Sequence, residues 1–300
     1  MAVGDVRPVR GVSDLHYVDT GMFDTPWYGA VYVLDGPEPA VVDAGIGTDR
    51  ERVLAGCRAA GVDPTDLQAV LLTHVHLDHA SGAGFLADVA PEATVYVHEA
   101  GAPHVVDPSR LVAGTKAAVG DAWRWYTEPD PVPEDRVVAL ADGDPVPLGG
   151  RTLTAHRAPG HAPHQVVYRD ERSGAVFVGD AAGIWVPPRG EVRETSPPPQ
   201  FDLEQCLADL DTVHDLDPAV LCYPHFGPGP DDVSGVLEAY AETLEEWVER
   251  VAAVRAELGD DEAVLEHLAD GTDLEDVWGP EKARAEARLN ARGVLAALED

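Results

Sequence analysis

The segment Thr73-His74-Val75-His76-Leu77-Asp78-His79 places three imidazoles and a carboxylate within six residues, directly after the apolar run Ala69-Val70-Leu71-Leu72. Imidazole nitrogen and carboxylate oxygen together suit zinc, iron or manganese. A short apolar strand ending at Leu72 would hold the following loop rigidly. His74 and His76 alternate along an extended backbone, so both can face one point. Asp78 and His79 are neighbours and are expected to point in different directions, which suggests two metal positions rather than one.

Three further donors sit at or just beyond strand ends. Arg157-Ala158-Pro159-Gly160-His161 follows the strand from Arg151, and its glycine permits a tight turn that aims the imidazole. Gly179-Asp180 closes the apolar run Ala175-Val176-Phe177-Val178 and sets a carboxylate at the mouth of a sheet. Tyr223-Pro224-His225-Phe226-Gly227 does the same after the strand from Ala219. Donors delivered by rigid strand ends onto one edge are what a preorganised metal site requires. His164, three residues past His161, is a competing donor by position alone. His98 ends a strand and reads as structural, as do His16, His104, His156, His214 and His267.

The elements that must carry these donors are legible as two strand-rich halves. In the first, strands are expected over Asp14–Val18, Ala30–Leu34, Ala40–Val42, Ala69–Leu72 and Thr94–Val97, with helices over Asp49–Ala60 and Ala80–Ala90. A helical stretch from Arg110 to Tyr126, bearing Trp123, Trp125 and Tyr126, reads as an insertion over the core. After the Pro-rich connector from Glu128 to Glu134 come strands over Val137–Leu140, Arg151–Ala155, Gln165–Arg169, Ala175–Val178 and Ala219–Cys222, and a helix over Asp202–His214. The loop Ile184–Gln200, with Trp185, Arg189 and Arg193, follows Asp180 and is expected to shape a substrate pocket. Two such halves predict an α/β fold, a four-layer αβ/βα sandwich with two central sheets.

From residue 231 the pattern changes. Val233, Leu237, Tyr240, Leu244, Trp247, Val251, Val254 and Leu258 form a stripe at spacings of four and three. Further helical patterns cover Asp261–Ala269 and Glu281–Leu298. The division expected is a domain over 1–230 and a C-terminal helical region over 231–300, docked on the core near the site or forming a homodimer contact.

The ordered set His-x-His-x-Asp-His, Pro-Gly-His, Gly-Asp and a late His resembles the metallo-β-lactamase-fold hydrolases, in particular the glyoxalase II and lactonase-like branch. Val41-Val42-Asp43-Ala44-Gly45-Ile46-Gly47 resembles that family's early strand-Asp-x-Gly turn, where the carboxylate supports the metal loop. The resemblance covers roughly residues 12 to 230. Carried over, it implies that His74, His76 and His161 bind one metal, that Asp78, His79 and His225 bind the other, and that Asp180 bridges both. Asp78 and Asp180 would then be the catalytic carboxylates. It also places the ligand after the Pro-Gly turn, hence His161, leaving His164 to point into the substrate pocket. The implied activity is hydrolysis of a small thioester, ester or lactone by a hydroxide held between two Zn2+ ions, with iron or manganese fitting the same donors. The alternatives are a phosphodiesterase or nuclease, and a persulfide dioxygenase, which resembles the ligand pattern but uses one iron.

Composition limits the partners. There are 54 acidic against 21 basic side chains, a net charge of -33, and Lys116 and Lys282 are the only lysines. No Lys/Arg cluster is evident that would follow a phosphate backbone or hold the carboxylates of a glutathione thioester, so no nucleic acid is expected and the substrate is a small molecule. Cys57, Cys206 and Cys222 are too scattered for a disulfide framework. Met1-Ala2-Val3-Gly4-Asp5 does not read as a leader, and no run approaches a membrane span, so a cytoplasmic location is expected. Such an acidic surface repels itself at low ionic strength and is screened at high salt, which suits a halophilic cytoplasm. Unfolding followed against KCl should show stability rising toward molar salt; a steady fall would contradict a halophilic origin of the charge.

Overall fold

In the computed structural model the described residues are 3–299. Met1 and Ala2, where the expected lack of a leader begins, and Asp300 of the C-terminal region lie outside the described residues. The chain forms the four-layer sandwich, with a C-terminal helical extension. The first sheet runs β1 (Val6–Pro8), β2 (Leu15–Asp19), β3 (Ala30–Leu34), β4 (Ala40–Val42), β5 (Ala69–Leu71), β6 (Thr94–His98) and β7 (Val137–Leu140) in spatial order. Its first four strands are antiparallel and the pairs from β4 to β7 are parallel. The second sheet is built from β8 (Pro145–Leu148), β9 (Arg151–Arg157), β10 (Val166–Asp170), β11 (Ala175–Phe177), β14 (Val220–Tyr223) and β15 (Gly227–Pro228). A separate hairpin joins β12 (Ile184–Val186) to β13 (Glu191–Arg193).

The period of two along each strand sorts side chains between layers. In β4 and β5, Ala40, Val42, Ala69 and Leu71 face the second sheet, where they meet Leu153, Tyr168 and Phe177. Val41, Val70 and the following Leu72 face the other way, onto α1 (Arg50–Ala59) and onto Leu86 and Ala87 of α3 (Ala83–Val89). The outer face of the second sheet is covered by α6 (Leu203–Asp215), α7 (Val233–Leu258), α8 (Asp261–Asp270) and α9 (Glu275–Ala297) in one continuous core. All three cysteines are unpaired and buried.

Several expected boundaries differ, each for a local reason. The helix expected over Ala80–Ala90 is two pieces, α2 (Leu77–Ala80) and α3. Between them Gly82 lies so close to the backbone of Ala44 that a Cβ would meet its carbonyl oxygen at 2.2 Å. The stretch expected as helix to Tyr126 follows the short α4 (Ala102–Val106) and is α only over α5 (Ser109–Val119). Gly120 ends it with a φ of 55°, and residues 120–125 continue as a 3-10 turn. Strand β8 was hidden by Pro145 and Pro147, which are tolerated because it is an edge strand. Helix α9 starts at Glu275, with a break at Gly279 before Pro280. The loop expected over Ile184–Gln200 contains the β12–β13 hairpin. Its Arg189 and Arg193 pair with Asp273, Asp276, Glu191 and Glu194, tying the hairpin to the segment that starts α9.

The α7 stripe packs on the core, with Leu237, Tyr240, Leu244, Trp247 and Val251 buried. The proposed division at 230/231 falls in the turn between β15 and α7. No described helix is long and apolar enough to cross a membrane. Helix α9 is fastened to the segment after β13 by Asn290, whose Oδ1 accepts from the Ser196 amide at 2.7 Å. The Ser196 hydroxyl donates to the Asn290 carbonyl at 3.0 Å and accepts from the Trp247 indole at 3.1 Å. Asn290→Ala leaves a buried amide unsatisfied and should cost about 1–3 kcal/mol in denaturant unfolding; an unchanged midpoint would remove this contact from the stabilising set.

Candidate metal centre

Strand β5 delivers the histidine segment to the edge where both sheets end. Asp43, just past β4 with a left-handed φ of 61°, is the post to which that segment is tied. Its Oδ1 accepts from the Thr73 amide and hydroxyl, both at 2.9 Å, and its Oδ2 lies 3.3 Å from Nδ1 of His79. Because the Thr73 hydroxyl donates to Asp43, it must accept from Nδ1 of His74, 3.2 Å away. His225 makes the equivalent bond, Nδ1 to the Tyr28 carbonyl at 3.0 Å. Three rings thereby spend their Nδ1 proton on the protein and keep an Nε2 lone pair for the cavity.

The other donors arrive on turns that glycine makes possible. At Gly160 the need is space rather than an unusual dihedral, since a Cβ would meet the Cys206 amide nitrogen of α6 at 2.3 Å. Asp209 of α6 accepts from the Gly160 amide at 2.6 Å and so fixes the turn that carries His161. Gly179 does need its backbone freedom, with a φ of 51° immediately before Asp180.

These elements bring the seven donors together as two groups, linked by a third triad of His74, His79 and Asp180. His74, His76 and His161 form one, with Nδ1 of His76 3.1 Å from Nε2 of His74 and 3.0 Å from Nε2 of His161. Asp78, His79 and His225 form the other, with Oδ2 of Asp78 3.4 Å from Nε2 of His79 and 3.9 Å from Nε2 of His225. Asp78 and His79 therefore do not diverge as adjacent residues were expected to. They lie in the single helical turn α2, and their long side chains bend toward one point. Asp180 stands between the groups: Oδ1 is 3.6 Å from His79 and 3.5 Å from His225, while Oδ2 is 3.5 Å from His161. The Thr195 hydroxyl donates to Oδ2 at 3.3 Å and holds the carboxylate in this attitude.

The electrostatics divide the same way. Burial and the neighbouring imidazoles hold His74 well below its usual range, and burial with His161 pushes His76 down to about 3. Burial also lowers His161. At His79 burial acts in the same direction, but the fields of Asp78 and Asp180 outweigh it and raise the ring. For both carboxylates burial is overcome by His79 and its fellow imidazoles, which keep them ionised.

The donor set fits divalent cations. One proton on His76 Nδ1 can satisfy only one of the two nitrogens facing it. Two nitrogens coordinated to one tetrahedral ion lie about 3.3 Å apart, close to the spacings found. Nε2 of His79 and Oδ1 of Asp180 are buried without a hydrogen-bond partner among the described residues.

His164 stands outside both groups. It is buried, its Nδ1 accepts from the Val75 amide at 3.4 Å, and its ring lies parallel to that of His74 at 6.2 Å. His98 is likewise buried, with Nδ1 accepting from the Ala100 amide. Thr73, Thr195 and Tyr28 carry no signal in the sequence, because their part is to orient rings that lie far away along the chain. Tyr28 also stacks on His225 at 4.9 Å.

A sequence model of the metallo-beta-lactamase superfamily matches residues 24–225. The metallo-beta-lactamase fold-containing protein ST1585 of Sulfurisphaera tokodaii is 27% identical over 227 residues, 73% of this chain and 80% of that protein. Its solved structure superposes with a TM-score of 0.71 at 23% identity, covering 96% of this chain and 99% of that one. Acyl-coenzyme A thioesterase MBLAC2 of Gallus gallus is 33% identical over 181 residues, 56% of this chain and 62% of its own length. Atrochrysone carboxyl ACP thioesterase of Aspergillus fumigatus is 28% identical over 150 residues, 50% of this chain and 38% of its own length. The chain thus spans less than two thirds of either thioesterase.

Asp43→Asn leaves one accepting oxygen where Asp43 uses two, so either Thr73 or His79 would face an amide nitrogen instead of an acceptor. It should weaken binding of divalent ions about 10- to 100-fold in competition with a chromophoric chelator; unchanged affinity would show that Asp43 does not orient His79.

Proposed function

The chain belongs to the metallo-β-lactamase superfamily and is a metal-dependent hydrolase, and from that premise we propose that it hydrolyses a small thioester with two divalent ions, zinc by donor type. Esters and lactones are the neighbouring substrate classes. His74, His76 and His161 would hold one ion, Asp78, His79 and His225 the other, and Asp180 would serve both. The observation that carries this reading is Asp180 itself, whose two oxygens face different donor groups at 3.5–3.6 Å. Bound there, the ions would supply a water acidified to a pKa of about 7 and positive charge for the developing oxyanion.

Thioester hydrolysis forms one C–O bond and breaks one C–S bond, so the chain must aim a water at the carbonyl carbon and let a thiolate leave. Asp180, pinned by Thr195, fixes the position midway between the two donor groups. Asp78 keeps 23% of its side chain accessible, which puts it at the opening through which substrate would reach the centre. Phe23, Tyr28 and Tyr126 form an aromatic wall beside Asp78 and His225, suited to an acyl chain. Two relatives named as thioesterases support the choice of acyl transfer to water.

A panel of thioesters, lactones, phosphodiesters and a β-lactam at high salt tests this. Thioesters should turn over fastest, and Asp180→Ala or His79→Ala should each lower turnover roughly 10²-fold or more with circular dichroism unchanged. Cleavage confined to phosphodiesters, or full activity in either variant, would overturn the proposal.

A further inference from the structure

The described residues enclose a cavity of about 520 Å³ between the 3-10 turn at 120–125 and helix α9. Arg124, Lys282, Arg284, Arg288 and Arg292 all line it, five of its sixteen residues, in a chain with only 21 basic side chains among 300. Its acidic lining is Asp121, Glu281 and Glu286, which leaves the wall two charges positive inside a protein of net charge -33. The sequence had shown no such cluster. Along α9 the cations alternate with glutamates, and Arg124 comes from a turn 157 residues before its partner Glu281.

Lys282, one of two lysines, is 6% exposed and forms a buried ion pair with Glu286 one turn further along α9. Its ammonium lies 4.0 Å from the Phe23 ring centre and 5.6 Å from that of Tyr28, the ring that stacks on His225. The cavity floor is therefore one aromatic layer from the Asp78–His79–His225 group. Burial pushes Lys282 down to about 7, although Asp78 nearby acts to keep it charged. Arg124, Arg284 and Arg288 are held by Glu281, Asp270, Glu266 and Glu262, carboxylates at least half exposed. Such solvated pairs are cheap to exchange for an incoming anion. Arg292 bonds only the Ala118 carbonyl, at 2.7 Å, and pairs with no carboxylate among the described residues.

We propose that this cavity binds a phosphate group on the leaving thiol of the substrate, with Arg292 as its principal specificity residue. A phosphomonoester carries about −1.5 to −2 at pH 7, matching the positive excess of the wall, and arginine forks suit its oxygens. The volume admits a fragment of nucleotide size. The inference rests on the thioester reading for the nature of the substrate, while the cavity is a separate structural fact.

The test uses the metal-loaded full chain and two thioesters of one acyl group, on coenzyme A and on N-acetylcysteamine. Wild type should favour the coenzyme A thioester in kcat/KM by about tenfold or more, and Arg292→Ala should erase most of that preference, chiefly through KM. In parallel, calorimetry with S-ethyl coenzyme A, a thioether that cannot be hydrolysed, should show binding that weakens about tenfold in Arg292→Ala, with S-ethyl pantetheine unaffected by the substitution. Binding with that pattern but no thioester turnover would uphold the phosphate site and refute the thioesterase. A wild type without preference, or S-ethyl coenzyme A bound equally by wild type and Arg292→Ala, would overturn the phosphate site.

Discussion

One buried carboxylate organises the centre. Asp43 accepts from the Thr73 amide and hydroxyl and faces His79, so a single side chain fixes the start of the histidine segment and one of its last rings. Without these bonds the loop after β5 would have no reason to turn into the edge shared by the two sheets. The same interaction sets the tautomer of His74 through Thr73 and leaves its free nitrogen toward the cavity. A cluster of buried imidazoles and carboxylates costs hydration. It persists because three of its rings are anchored from behind, at His74, His79 and His225.

The C-terminal helices take part in the same organisation. Helix α9 reaches the centre by two routes. Asn290 grips Ser196, next to the Thr195 that steadies Asp180, and Lys282 packs under the ring that stacks on His225. The helices also bury the outer face of the second sheet, whose strand ends deliver Asp180 and His225. Packing of the tail and the attitude of the donors are thus mechanically linked.

The sequence revealed the donors and much of the framework because both rest on local signals. His74, His76, Asp78, His79, His161, Asp180 and His225 are chemically distinctive residues placed after short apolar runs, and the unbroken apolar runs of β4 and β5 announce a sheet buried on both faces. What escaped depends on contacts between distant segments. Gly82 splits a helix only because Ala44 presses on it, and Gly160 matters because α6 lies against it. The pairing of Arg189 and Arg193 with Asp273, and of Arg189 with Asp276, joins segments far apart along the chain. The basic cavity needs residues 124 and 292 side by side, which no spacing along the chain announces.

The central claim is that two ion positions share Asp180. Diffraction from crystals grown with zinc, recorded on both sides of the zinc absorption edge, tests it most directly. Two anomalous peaks are predicted, one within the His74–His76–His161 group and one within the Asp78–His79–His225 group, with Asp180 between them. A single peak at full occupancy, whichever group it occupied, would contradict the two-ion centre and the hydrolytic chemistry built on it.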